Sequence, residues 1–124
     1  MTFARQRLGR AAEELVAERL RGLGWRIVGR NVRLPSGELD LVALDGPTLV
    51  FLEVKAGRVG AALGPERPAH AVGAKKQRKL RRLAREWIWE RRGPSGVAGY
   101  RFDVVGVSFR PDGLADVDHI RAAF

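Results

Sequence analysis

Apolar residues recur along this chain with two different periods, and the switches between them outline its elements. From Arg7 to Leu23 the spacing is helical, with Leu8, Ala12, Leu15, Val16, Leu20 and Leu23 on one stripe. Gly24 stops that helix as a C-terminal cap. At 100° per residue, Glu13 borders the stripe while Glu14 points away from it into solvent. Trp25 to Val32 reads as a strand, and Leu34-Pro35-Ser36-Gly37 turns the chain into a hairpin. The hairpin's arms carry Gly37-Glu38-Leu39-Asp40-Leu41 and Phe51-Leu52-Glu53-Val54-Lys55, joined through Asp45-Gly46-Pro47-Thr48. A Gly/Pro/Ala-rich stretch over Ala56 to Gly73 is the longest irregular segment, read as a substrate-contacting element in preference to a plain surface connection. Helical spacing returns from Ala74 to Arg91, with Leu80, Leu83, Ala84, Trp87 and Ile88 on the apolar side and Gly93-Pro94-Ser95-Gly96 as the stop. Strands follow at Tyr100 to Phe109 and Ala115 to Ile120, separated by Pro111-Asp112-Gly113. The order α-β-β-β-α-β-β predicts a mixed five-stranded sheet flanked by helices. The strands on either side of the second helix should pair in parallel through a right-handed crossover.

The hairpin also carries candidate chemistry. With Leu44 opposite Leu49, Asp40 falls across from Glu53 and Glu38 across from Lys55. Two carboxylates directly opposite each other repel. A divalent cation between them would reverse that sign, and Lys55 adds a positive group on the same face. The same residues also fit an ordinary wet strand face, in which Glu38 and Lys55 form a surface pair worth a few tenths of a kcal/mol. Against this, Glu53 and Lys55 continue the Leu49 and Phe51 face, and Asp40 continues that of Val42 and Leu44. Charges that extend an apolar face suggest a site at the rim of the core.

Charge sharpens the choice of partner. The 124 residues carry a net charge of +9, which favours a polyanion. Most of that charge is arginine; the only lysines are Lys55, Lys75, Lys76 and Lys79. A lysine at 55 therefore looks like a selected compact ammonium. On the second helix Lys75, Arg78, Arg82 and Arg85 line the polar side with Lys79 and Arg81 beside them, a face suited to phosphates. Lys76 falls instead on the apolar side, where it must snorkel or meet an anion. With no cysteine and only His70 and His119, a thiolate or histidine-rich metal site is excluded. No stretch approaches the roughly 18 apolar residues of a membrane helix, and the start lacks a signal-peptide core, so a cytoplasmic single domain over 1–124 is expected. Trp87 belongs to the core pattern, leaving no obvious stacking platform; duplex or branched DNA is the expected partner.

A helix glutamate followed by Asp and Glu-x-Lys resembles the restriction-endonuclease-like, PD-D/ExK superfamily, although Leu39 stands where a proline usually precedes the aspartate. More closely, the chain resembles the YraN-like family of small bacterial proteins predicted to be nucleases. The pieces that carry the resemblance are Leu8-Gly9 with Glu13, Gly24, Asn31-x-Arg33, Gly37 to Val42, Phe51 to Lys55, Lys76-Gln77, Arg101 to Val105, His119-Ile120 and Ala123-Phe124. Ala12 departs from the glycine frequent before the helix glutamate. The resemblance implies a fold akin to the archaeal Holliday junction resolvases, which act as symmetric dimers on branched DNA. It carries over Glu13, Asp40, Glu53 and Lys55 as catalytic positions, the three carboxylates as ligands of Mg²⁺ or Mn²⁺. Lys76, and less directly Glu38 and Asp103, are supporting candidates, with Lys75, Arg78, Arg82 and Arg85 as nucleic-acid contacts. The implied activity is metal-dependent hydrolysis of DNA phosphodiesters. A nucleic-acid-binding module that keeps the fold without the chemistry, or an adaptor with a structural metal, would use the same residues.

Overall fold

Alternation along the strands gives the sheet two apolar faces, and each face is covered by one helix. A computed structural model describes residues 2–58, 72–91 and 93–124, the side chains of 2–5 and 58 excepted. The elements are α1 (Thr2–Gly22), β1 (Arg26–Leu34), β2 (Gly37–Asp45), β3 (Thr48–Arg58), α2 (Ala74–Arg91), β4 (Gly99–Phe109) and β5 (Ala115–Ile120). The strands lie in the order β1-β2-β3-β4-β5. All neighbours are antiparallel except β3 and β4, which are parallel with α2 as the crossover. This is the mixed α/β sheet expected from the sequence.

Leu41, Ala43, Val50 and Leu52 pack with Ala12, Val16, Ala17 and Leu20 of α1. The intervening Val42, Leu49 and Phe51 pack with Leu80, Leu83, Ala84 and Trp87 of α2. Successive strand residues therefore serve opposite cores, as the period of two requires. Leu23, expected on the α1 stripe, is instead 54% exposed. The helix ends before it: Trp25 N–H donates to the Leu20 carbonyl at 3.0 Å, and Gly24 takes φ 86°, turning Leu23 off the stripe. Ala17, outside the expected stripe, is buried in the α1 core. The irregular segment expected from Ala56 also begins late, because β3 pairs with β4 as far as Arg58; residues 59–71 lie outside the described residues.

On the strand next to β3, in register with Leu52, Asp103 locks β4 to its neighbours. Its buried carboxylate accepts from Arg101 Nε at 2.8 Å and Nη2 at 3.0 Å, and from the Ala122 N–H at 3.0 Å, and it meets His119 Nε2 at 2.8 Å. Arg101 also reaches Asp45 at 3.1 Å and stacks over Trp25, 5.2 Å from its ring centroid. Every Asp103 acceptor is used within the fold, so the residue is structural. Burial would raise its pKa, but the bonds from His119, Arg101 and Ala122 outweigh burial and hold it below the ordinary aspartate range. A carboxylate depressed in the folded state stabilises above its unfolded pKa, and that stability is lost as pH falls through the folded value. Asp103→Asn should therefore cost about 3 kcal/mol in urea unfolding at neutral pH, because it breaks a buried charge network. The difference from wild type should shrink on acidification below the ordinary carboxylate range.

Candidate active site

The chemistry-bearing residues gather where β2 and β3 part. Their ladder runs from Asp45↔Thr48 to Leu41↔Leu52, in the register read from the sequence. It stops one pair short of Asp40 and Glu53. The cause lies in β2 itself: Leu41 belongs to the α1 core, yet Leu39, two residues away, belongs to the α2 core. A regular strand would put both on one face, so β2 turns over at Asp40. On β1 the facing residue is Asn31, between Arg30↔Leu41 and Val32↔Leu39, and it takes φ 49°. Both strands turn together.

The turn directs Asp40 into the gap. Its Oδ2 accepts the Val54 N–H at 2.9 Å, so the side chain bridges to β3 where the ladder has ended. Glu53 is buried on the α2 side of β3, on the face that carries Phe51. Glu13 comes from α1 and shares a hydrogen bond with Asp40, as its position at the border of the helix stripe suggests. Two elements on opposite faces of the sheet thus reach one gap between strands.

Cations and amides hold the cluster. Glu53 Oε1 lies 3.6 Å from Lys55 Nζ and 3.3 Å from Lys76 Nζ. Lys76 is thereby explained: it points inward to meet a buried anion. The backbone fixes its angle, since Gln77 N–H donates to the Gly73 carbonyl at 3.0 Å and starts the helical ladder there. Asn31, with its amide turned to donate, reaches both Glu13 oxygens at 3.1 Å. Asn31 was not foreseen as a site residue. Its signal was an asparagine inside a strand, a position it disfavours unless the backbone must enter the left-handed region. Glu14 points outward as expected and pairs with Arg30 at 2.6 Å.

Glu38 is a correction. The sequence register set it opposite Lys55, but beyond Asp40 its strand pairs only with β1, where Glu38 faces Arg33 with a 3.9 Å ion pair. Once β2 has turned over and left β3, no cross-strand neighbour on β3 remains for it. It still adds negative potential at Glu13. Of the expected nucleic-acid contacts, Lys75, Arg78 and Arg82 line a cavity of about 690 Å³ together with Lys76 and Lys79. Arg85 lies apart, in a second groove with Arg81. Glu86 fastens α2 across the site by accepting the Ser36 N–H at 2.9 Å and the Ser36 hydroxyl. Next to it, Gly37 at φ 147° leaves room for Lys79, whose Cε would sit 3.1 Å from an added Cβ.

Among the described residues, no three acidic or imidazole side chains are arranged to grip one ion as they stand. The electrostatics nevertheless call for positive charge. Burial, then the Glu53 charge, pushes the Asp40 carboxyl up to about 7, against the Val54 hydrogen bond, with Glu13 adding to the rise. Burial likewise raises Glu13. Asp40 and Glu53, with Glu13 beside them, are the hard oxygen donors that could hold a divalent cation here.

A carboxyl raised on folding binds its proton more tightly in the folded chain. It favours the fold below its unfolded pKa, and that contribution is lost as pH rises through about 7. Asp40→Asn keeps the acceptor for Val54 and removes the charge. In metal-free buffer it should raise stability at pH 8 by about 1–3 kcal/mol and change little at pH 4, read from urea midpoints at the two pH values.

Comparison with known proteins places this arrangement in a family. The sequence model of the uncharacterised protein family UPF0102 matches residues 12–107, a span that holds Glu13, Asn31, Asp40, Glu53, Lys55 and Lys76. A UPF0102 protein of Acidothermus cellulolyticus is 42% identical over 98% of this chain and 96% of its own length. One from Symbiobacterium thermophilum is 47% identical over 96% of this chain and 97% of its own, and one from Syntrophotalea carbinolica 44% identical over 100% and 96%. The chain belongs to the uncharacterised protein family UPF0102, the YraN-like family that its motifs resemble.

Proposed function

We propose that this protein is a divalent-metal-dependent deoxyribonuclease of the restriction-endonuclease-like type, related in fold to the Holliday junction resolvases and acting on branched or structured DNA. The observation that carries the reading is the convergence of Glu13, Asp40 and Glu53 at the parting of β2 and β3, with Lys55 alongside. A structural cluster would have its acceptors filled by the fold, as Asp103 has. Here the carboxylates retain a charge imbalance beside a cationic cavity.

Asp40 and Glu53 would hold Mg²⁺ or Mn²⁺, which supplies Lewis acidity toward a phosphoryl oxygen and lowers the pKa of water. Lys55 is the compact donor of the site. Its ammonium aligns the attacking water and meets the negative charge that gathers on the non-bridging phosphoryl oxygens as the new P–O bond forms and the ester P–O bond breaks, the water losing its proton to solvent and the leaving oxygen taking one up. Lys76 offsets the Glu53 charge from the other side, at 3.3 Å, and would contact the neighbouring phosphate of a bound strand. The cavity formed by Lys75, Arg78, Lys79 and Arg82 supplies affinity without sequence preference. Two copies in a symmetric dimer could cut opposed strands of a junction.

A second reading, a nucleic-acid-binding module without chemistry, is favoured by the two lysines that already engage Glu53. One set of assays separates the two. With Mn²⁺, wild type should nick linear, flapped or four-way DNA, and Asp40→Ala should not. Lys55→Ala should bind DNA within a few fold of wild type yet cut about 10²-fold more slowly, the scale of removing one transition-state donor. Mn²⁺ should also raise the melting temperature of wild type but not of Asp40→Asn or Glu53→Gln. DNA binding without cutting under any divalent ion, and no metal-dependent melting shift, would establish the binding module instead.

A further inference from the structure

The α2 side of the sheet has a second opening whose chemistry differs from the lysine-lined cavity. Between α2 and β4 lies a groove of about 190 Å³ with Phe51 and Phe102 as its floor and Arg81, Arg85, Ile88 and Tyr100 at its rim. The floor is fixed by stacked rings: Phe51 on Phe102 at 5.7 Å, and Phe102 on Phe124 at 5.2 Å. Arg81 lies over Phe102 and Phe124, 5.1 and 5.3 Å from their centroids, and so is committed to that stack. Tyr100 and Arg85 are not. Among the described residues Tyr100 stacks on no other ring and Arg85 forms no ion pair within 4 Å, and Tyr100 is 57% exposed.

We propose that this groove takes an unpaired nucleobase, stacked on Tyr100, with its phosphate on Arg85. The occupant follows from the pairing of functions at the rim. A guanidinium calls for an anion, and an exposed aromatic edge above an apolar floor calls for a flat ring; a nucleotide is the ligand that supplies both. A base inside a duplex has both faces covered by its neighbours, so the strand must be unpaired where it crosses the groove. The groove also lies beside the candidate active site. Phe51 is two residues before Glu53 on the same face of β3, about 7 Å away, and Arg81 is five residues past Lys76 along α2, about 7.5 Å. Four residues beyond Arg85 on the same helix stands Trp89, 86% exposed, a second ring for a strand that continues along α2. The sequence pattern, which assigned Trp87 to the core, offered no obvious stacking platform.

The inference rests on the nuclease reading and narrows its substrate: DNA single-stranded next to the cut, as at the foot of a flap. Its test measures binding and needs no metal. In the Asp40→Asn chain, so that nothing is cut, labelled single strand, duplex and flap of equal length are compared by anisotropy at one salt concentration. Tyr100→Ala and Arg85→Ala should each weaken single strand and flap by about fivefold or more, leaving duplex within about twofold. Tyr100→Phe should restore the affinity, and one abasic position in the strand should weaken binding to the Tyr100 chain but not to Tyr100→Ala. Equal losses on single strand and duplex, or no loss on either, would overturn the base site. Selective loss in a chain whose parent never cuts DNA would leave the base site standing and remove the nuclease. Cutting by the parent with unaltered binding by both variants would do the reverse.

Discussion

The parting of β2 from β3 at Asp40 is the constraint on which the site depends. A continuous ladder would have paired the backbone there and left Asp40 and Glu53 as opposed carboxylates on one sheet face, a repulsive arrangement with no route for α1 to join. Because β2 turns over together with β1 at Asn31, the Asp40 side chain enters the gap, takes the Val54 N–H and meets Glu13 from the other face. The gap turns a two-sided sheet into a place where both layers contribute. It also explains why an asparagine with positive φ belongs to the site: the same residue permits the turn and donates to Glu13.

Asp103 and Asp40 show how one residue type acquires opposite roles. Both are drawn into the protein. Asp103 is met by a guanidinium fork, an imidazole and a backbone N–H, and its charge is stabilised below the ordinary range. Asp40 has one backbone donor against two neighbouring carboxylates, and its charge is destabilised. A buried carboxyl with its acceptors filled braces a fold. A buried carboxyl facing like charge at an opening stores an electrostatic demand, which makes it a candidate functional group. α2 serves both ends of this economy of charge: its buried stripe closes one core, Lys76 meets Glu53, and its outer face presents the remaining cations to solvent.

The sequence by itself determined the element order, the hairpin register over residues 41–45, the extent of α2 and β5, the core stripe of α2 and the place of Lys76 on its apolar side. These are local quantities, set by hydrophobic period, turn chemistry and helical angle over a few residues. It also set Asp40, Glu53 and Lys55 on one face of the hairpin as charges that continue an apolar face, and the family resemblance joined Glu13 to them. Tertiary structure decided what depended on two strands bending together. The ladder's early end separated Glu38 from Lys55, the left-handed backbone at Asn31 brought an uncharged residue to Glu13, and the length of β3 shortened the expected loop. The exposure of Tyr100 and Trp89, too, was fixed only once α2 had been laid on the sheet and one arc of its surface had been chosen for burial. Periodicity along one segment cannot register a simultaneous turn in its neighbour, since that turn is a property of the pair.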